Sequence, residues 1–293
     1  MPLAFVAGAD GQIGRFLVPR LLEAGWRVIA LSRRPRPPSQ RPGLQWRCGD
    51  LYGAMPALPA IDALFSLGPL DGLASWLPAA HVEGIGRIVA FGSMSAESKR
   101  ASPDPAERAL AARLAASERA LASAAATLGA GWTVLRPTLI YGAGMDRSLT
   151  PIAQLARRLH VFPRVRGGAG LRQPVHAADL AEACLAAAAQ GRAAGRVYAL
   201  GGGERLSFAV MLERVRAGLG VATVPLPVPL ALLRVGAALW RTSPGMPRLA
   251  AAVERLSADL IADDGPRPPT WAGRRGRSGP IQLAGRRRRP CEG

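Results

Sequence analysis

Short apolar runs alternate with longer stretches of helical periodicity through the first half of the chain. Leu3–Ala7, Arg27–Leu31, Leu44–Arg47, Ala63–Ser66, Arg87–Phe91 and Trp132–Arg136 are strand candidates. Most are apolar nearly throughout, the pattern of strands buried on both faces of a sheet. Gln12–Ala24 instead sets Ile13, Phe16, Leu17, Leu21 and Leu22 along one side of a helix. Asp104-Pro105-Ala106-Glu107 has the chemistry of a helix start, with Asp as cap, Pro in the first helical position and Glu at the third. That helix runs through alanine-rich sequence to about Leu128, and Gly129-Ala130-Gly131 stops it. Ser98–Pro105 is expected to be a loop. Strands alternating with helices predict an α/β fold, a doubly wound parallel sheet.

Beyond Pro137 the loops lengthen and single strands such as Val197–Leu200 separate the helices. The expected organisation is a main domain over residues 1–135 and a smaller substrate-side region built on the sheet over 136–264. From Gly265 the chain is rich in Pro, Gly and Arg without periodicity, so 265–293 is expected to be a disordered tail.

Composition adjusts this picture in three places. Hydrophobic residues make up 49%, enough to fill a core and to exclude a wholly disordered chain. The net charge of +18 is uneven, for residues 265–293 hold eight Arg against one Glu. Such a tail can attract nucleic acid or anionic lipid, with Arg286–Arg289 as the patch. The body has neither a basic stripe interleaved with aromatics nor zinc-ligand spacing, so nucleic acid is not an expected partner. Lys99 is the only lysine, which points to a GC-rich coding sequence. Cys48, Cys184 and Cys291 are odd in number and far apart, which is no disulfide framework and fits a reducing compartment. The first residues have no cationic segment of the signal-peptide kind. Val224–Trp240 is interrupted by three prolines and Arg234, too soon to span a bilayer. A cytoplasmic location is expected.

The chemistry is densest at Gly8-Ala9-Asp10-Gly11-Gln12-Ile13-Gly14, directly after the first strand and opening the first helix. A dinucleotide pyrophosphate sits at a helix N-terminus, where free N–H groups and the dipole favour anions. Side chains at Gly8 or Gly11 would hold the phosphate off, and one at Gly14 would push helix from strand. Four segments then occur in order: this G-x-x-G-x-x-G loop; Leu135-Arg136-Pro137-Thr138-Leu139-Ile140-Tyr141-Gly142; Arg172-Gln173-Pro174-Val175-His176-Ala177-Ala178-Asp179-Leu180-Ala181; and Tyr198-Ala199-Leu200-Gly201-Gly202. Together they resemble the extended short-chain dehydrogenase/reductases, the NAD(P)-dependent epimerase/dehydratases, over about residues 2–264.

The resemblance implies cofactor contacts from Gly8, Gly11, Gln12, Ile13 and Gly14, and from Ser66 and Leu67 after the fourth strand. Pro137 and Thr138 would pass the nicotinamide, and Asp50 with Leu51 would lie beside the adenine. Asp50 serves equally as a helix cap. At the end of the second strand an acid would hold the ribose 2′-OH of NAD; this chain has Ser32-Arg33-Arg34. Arginine is a planar, permanently charged fork suited to phosphate, so NADP is expected, with NAD as second choice.

The family's catalytic set is a Ser or Thr after the fifth strand, then Tyr-x-x-x-Lys one helical turn apart on the next helix. The ammonium lowers the phenol's pKa for proton transfer. No Tyr-x-x-x-Lys exists here: the tyrosines are Tyr52, Tyr141 and Tyr198. If Glu118 is the acidic residue that often follows the lysine by four, Leu114 takes the Lys position and Leu110 the Tyr position. Ser93 and Ser95 remain as hydroxyl candidates, and Tyr141 or His176 as alternative acids. Ser95 and Lys99 have i, i+4 spacing but fall in a loop-like stretch. Arg172 and Asp179 are a candidate ion pair.

Two functions follow as expectations. One is an oxidoreductase acting on a small-molecule carbonyl, alcohol or nucleotide sugar without the usual Tyr and Lys. The other is a non-catalytic NADP-binding redox sensor or assembly factor. Family members often dimerise, which implies a homodimer. They also usually close with a segment that packs back on the body; Asp263-Asp264-Gly265-Pro266 begins like it and then departs, so the basic tail is read as the product of a frame shift near codon 265.

Overall fold

The computed structural model describes residues 1–166, 169–229, 231, 258–262 and 281. In chain order the elements are β1 (Leu3–Ala7), α1 (Gly14–Glu23), β2 (Arg27–Ser32), β3 (Leu44–Cys48), β4 (Ile61–Ser66), α2 (Leu70–Trp76), β5 (Ile85–Phe91), α3 (Ser95–Ser98), α4 (Pro105–Thr127), β6 (Gly131–Pro137), β7 (Ile140–Tyr141), α5 (Leu149–Leu159), β8 (Val161–Arg166), β9 (Leu171–Arg172), β10 (Val175–His176), α6 (Ala177–Ala189), β11 (Arg196–Leu200), β12 (Leu206–Ser207), α7 (Phe208–Ala217) and β13 (Val224–Pro229).

Seven strands form one parallel sheet in the order β11-β6-β5-β4-β1-β2-β3. β1 is central and pairs with both β2 and β4. The chain runs outward to β3, then returns across β1 to build the other half from β4. That reversal makes a crevice at the carboxyl ends of β1 and β4, where doubly wound sheets bind ligands. β1, β2 and β4 are apolar because helices cover both faces; Ala4, Phe5, Val6, Leu64 and Phe65 are fully buried. The core beneath one face joins Phe5, Ile29, Leu64, Leu73, Ile88 and Leu121.

The chain divides into two compact units. The first holds Met1–Thr138, Ala177–Leu200 and Ala262; the second holds Leu139–His176, 201–261 as far as described, and Ile281. The sheet therefore does not end at residue 135: α6 and β11 extend it through a parallel crossover, and β11 pairs with β6 from Arg196↔Thr133 to Leu200↔Pro137. A lone strand in a loop-rich stretch gives no local sign of which sheet it joins, so the contiguous 136–264 region differs from this partition. Ser95–Ser98 is likewise one helical turn rather than loop, closed by Ser98 and Lys99 N–H groups bonding to Met94 and Ser95 carbonyls.

In the second unit α5, α7 and the parallel pair β8–β13 enclose a separate core of Leu149, Phe162, Met211, Leu212 and Val215. Ile281 belongs to it, 5% exposed, and its N–H donates to the Arg214 carbonyl. At that residue the expectation of a disordered tail is corrected: an apolar side chain with core to fill packs regardless of its basic neighbourhood. The rest of 265–293, Arg286–Arg289 included, lies outside the described residues. Among the described residues no helix is long and apolar enough to cross a membrane.

Candidate dinucleotide-binding site

The glycine loop leaves β1 at the crevice. Gly8 has φ +81°, a conformation open mainly to glycine, and Gly11 N–H closes the turn on the Gly8 carbonyl at 2.9 Å. A Cβ on Gly14 would lie 2.3 Å from the Ala9 carbonyl oxygen, so only glycine lets α1 pack this close. α1 begins at Gly14, two residues after its expected start, with Ile13 as a cap that supplies no side-chain hydrogen bond. Arg15 and Phe16 N–H already bond the Gly11 and Ile13 carbonyls, so among the described residues the amides left for a ligand are those of Gln12, Ile13 and Gly14. On the neighbouring strand Leu67 N–H bonds the Ala7 carbonyl, and the Leu67 carbonyl carbon would lie 3.3 Å from a Cβ on Gly8. Gly8, Gly11, Gln12, Ile13, Gly14, Ser66 and Leu67 therefore share one edge.

Two acceptors there are buried and lack a partner among the described residues: Gln12 Oε1 and Ser66 Oγ. Ser66 is fully buried. An unsatisfied buried polar group costs about 1–3 kcal/mol. A dinucleotide laid along this edge carries hydroxyl and amide groups that would satisfy both, so the residues fit such a cofactor.

At the end of β2, Ser32 is buried and its Oγ accepts from Arg34 N–H at 3.3 Å. Arg33 and Arg34 are exposed. The guanidinium that the structure restrains is instead Arg36, which pairs with Asp10 of the glycine loop and covers the Trp46 ring. Sequence reading passed over Arg36, Asp10 and Trp46; the Arg33-Arg34-Pro35-Arg36 run was the available signal. Asp50 caps no helix: its Oδ1 accepts Tyr52 N–H and its carbonyl accepts Gly53 N–H, a turn between β3 and β4. Leu51 is buried below it. Exposed Tyr52 donates to Asp71 Oδ1 at 2.6 Å, and its phenol is pushed up to about 12 by local loss of hydration and then by that carboxylate.

The edge continues past β5. Ser93 Oγ accepts Ser95 N–H at 3.1 Å, and Met94 N–H reaches the Pro137 carbonyl at 3.4 Å. Thr138 N–H bonds the Leu200 carbonyl at 2.9 Å. Ser93, Ser95, Pro137 and Thr138 are thus together in the first unit. Lys99 is bound to Glu107 at 3.2 Å. Along α4, Leu110 and Leu114 are half-buried and Glu118 is buried. Glu118 takes the Arg136 guanidinium as a fork, Nε to Oε1 at 2.7 Å, while Glu97 of α3 takes its third corner. The Glu118 hydrogen bond holds Arg136 above its usual arginine range against the opposing effect of burial. Gly92 makes room for this cluster, since a Cβ there would lie 2.8 Å from Glu118 Oε1.

Tyr141 belongs to the second unit. Its ring meets His176 edge-on at 5.1 Å, and a Cβ on Gly142 would lie 2.0 Å from His176 Nε2. In the same unit Arg172 donates to the Leu171 and Ala258 carbonyls. Cys184 is buried, which pushes its thiol up and keeps it unreactive. Among the described residues no group of three His, Cys, Asp or Glu side chains could hold a metal ion.

A parallel seven-stranded sheet with a glycine loop at its switch point defines a Rossmann-type nucleotide-binding protein. The family model described as NAD(P)H-binding matches residues 8–191, and the chain belongs to that family. No curated protein sequence matches it. Solved structures share the fold. UDP-N-acetylglucosamine 4-epimerase from Bacillus cereus is 15% identical with a TM-score of 0.60, covering 88% of this chain and 96% of its own. UDP-glucuronic acid 4-epimerase from Bacillus cereus in complex with NAD is 14% identical with a TM-score of 0.60, over 78% and 86% of the two chains. dTDP-glucose 4,6-dehydratase from Bacillus anthracis in complex with NAD is 15% identical with a TM-score of 0.58, over 78% and 85%.

Proposed function

We propose that the chain is a nicotinamide-dinucleotide oxidoreductase of the epimerase/dehydratase type, preferring NADP, that acts on a small-molecule carbonyl, alcohol or nucleotide sugar without a Tyr-x-x-x-Lys pair. The observation that carries this reading is the glycine loop at the switch point, flanked by the unsatisfied acceptors Gln12 Oε1 and Ser66 Oγ. When bound, the nicotinamide supplies hydride transfer. The residues of this chain bind and orient. The Gln12, Ile13 and Gly14 amides grip the diphosphate, Arg33 and its neighbours meet the adenosine end, and Ser93 or Ser95 orients a substrate oxygen. Leu110 and Leu114 line the neighbouring face of α4 with hydrocarbon, so no proton donor comes from there.

That same hydrocarbon face favours a second reading, a non-catalytic NADP-binding sensor. NADPH turnover over a panel of carbonyl substrates, measured beside cofactor affinity, separates the two. Turnover supports the enzyme; tight binding without turnover on any of them supports the sensor. The site itself is tested by Gly11→Val, whose Cβ would lie 3.1 Å from the Gly8 carbonyl. NADPH affinity should fall at least about tenfold with the fold intact, a loss of about 1.4 kcal/mol. Unchanged affinity would rule out the loop as the diphosphate site.

A further inference from the structure

The glycine loop carries one acidic residue at the place where an anion must approach. Asp10 lies between Gly8 and Gly11, and a carboxylate beside a diphosphate opposes its binding. The carboxylate is partnered: Arg36 Nη2 donates to Asp10 Oδ2 at 2.9 Å. Two further contacts restrain the same guanidinium. Arg36 Nε lies 3.5 Å from Ser32 Oγ at the end of β2, and its central carbon sits 4.8 Å above the Trp46 ring of β3.

Three elements thus hold one guanidinium beside the last residue of β2, the position at which the substituent on the adenosine ribose is read. Arg33 and Arg34 lie closer in sequence; all three arginines are exposed, but among the described residues only Arg36 of the three forms an ion pair. The Asp10–Arg36 pair itself is 48% and 42% exposed. Half-exposed pairs are weak and screened by water. A phosphate monoester offers more charge and three acceptor oxygens to the same fork, so it displaces a carboxylate.

We propose that Asp10 is the internal counter-ion of Arg36, competing with the 2′-phosphate of NADP and thereby setting how strongly the protein prefers NADP to NAD. This rests on the dinucleotide reading of the site and deepens it. Without a 2′-phosphate, Arg36 stays on Asp10; with one, the guanidinium turns to the phosphate and Asp10 is left as a nearby negative charge. Asp10 therefore limits the preference that Arg36 creates.

The ratio of NADH to NADPH dissociation constants isolates this effect, because any influence of Asp10 on the shared diphosphate cancels. Nucleotide fluorescence titrations at one ionic strength would compare the full chain with Asp10→Asn, Arg36→Ala and the double variant. Asp10→Asn should raise the ratio about three- to tenfold, the scale of one charge removed near a partly solvated phosphate. Arg36→Ala should lower it about tenfold or more. The double variant should follow Arg36→Ala within about twofold, as expected for a residue acting through its partner. An Asp10→Asn ratio that stays level or falls would overturn the proposal, as would an equal gain in the Arg36→Ala background. If the unmodified chain binds neither nucleotide, the dinucleotide reading itself fails; if it binds both and Asp10→Asn leaves the ratio unmoved, only the counter-ion assignment fails.

Discussion

Gly14 shows how much one missing atom can decide. Its absent Cβ would lie 2.3 Å from the Ala9 carbonyl oxygen, 2.5 Å from the Ala9 carbonyl carbon and 2.6 Å from Ala9 Cα. These are backbone atoms of the loop and cannot rotate away. Gly14→Ala should therefore destabilise the protein by about 1–3 kcal/mol, the usual penalty for overpacking, and loosen NADPH in the same step. Chemical denaturation with and without nucleotide measures both. Wild-type stability in that variant would mean that α1 does not pack where Gly14 places it. The three loop glycines were legible because their spacing follows a strand and opens a helix. Gly92 and Gly142 were not, since each makes room for a side chain distant in sequence: Glu118 for Gly92 and His176 for Gly142.

At the scale of elements, α4 was legible nearly residue by residue. Asp104 accepts Ala106 N–H at 2.8 Å as the cap, with Pro105 first in the helix. The strands of the main sheet up to β6 also fall where apolar runs placed them, within about two residues at each end. What periodicity could not convey is how β6 and α4 are joined. The Arg136 side chain is 15% exposed and that of Glu118 8% exposed, so the pair is largely shielded from solvent. Removing one partner of such a pair strands a charge, at a cost of about 3–5 kcal/mol. Arg136→Met should show a loss of that order in urea denaturation, and Arg136→Lys should recover only part, because an ammonium cannot reproduce the two-pronged contact with Glu118. A loss below about 1 kcal/mol would show that water screens the pair. The single turn of α3 escaped sequence reading because four residues carry no usable period, and Glu97 joins it to Arg136 only in space.

At the scale of the molecule, the order of strands outruns what any window of sequence contains. β11 joins the edge of the sheet beside β6, sixty residues or so earlier in the chain, after the intervening segment has built only the first part of a second unit. Ile281 makes the same point within that unit, packing in the core of α5, α7 and β8. Truncation before Gly265 removes it along with the basic segment. Full burial of such a side chain is worth about 1.5–3 kcal/mol, and the truncated chain should lose stability on that scale, seen as a lower Tm. An unchanged Tm would show that Ile281 adds nothing to that core.

Local chemistry determined what could be read without coordinates: which runs are strands, where helices start, and that glycines 8, 11 and 14 make the turn between the first strand and the first helix. These depend on steric and hydrogen-bonding rules acting over a few residues. Tertiary structure alone decided that Arg36, not Arg33 or Arg34, is the guanidinium held in an ion pair among the described residues, that Glu118 serves Arg136, and that Gln12 and Ser66 keep acceptors with no partner among those residues at one edge. Each of these depends on distances between segments far apart in the chain, and such distances are fixed only when the sheet has assembled.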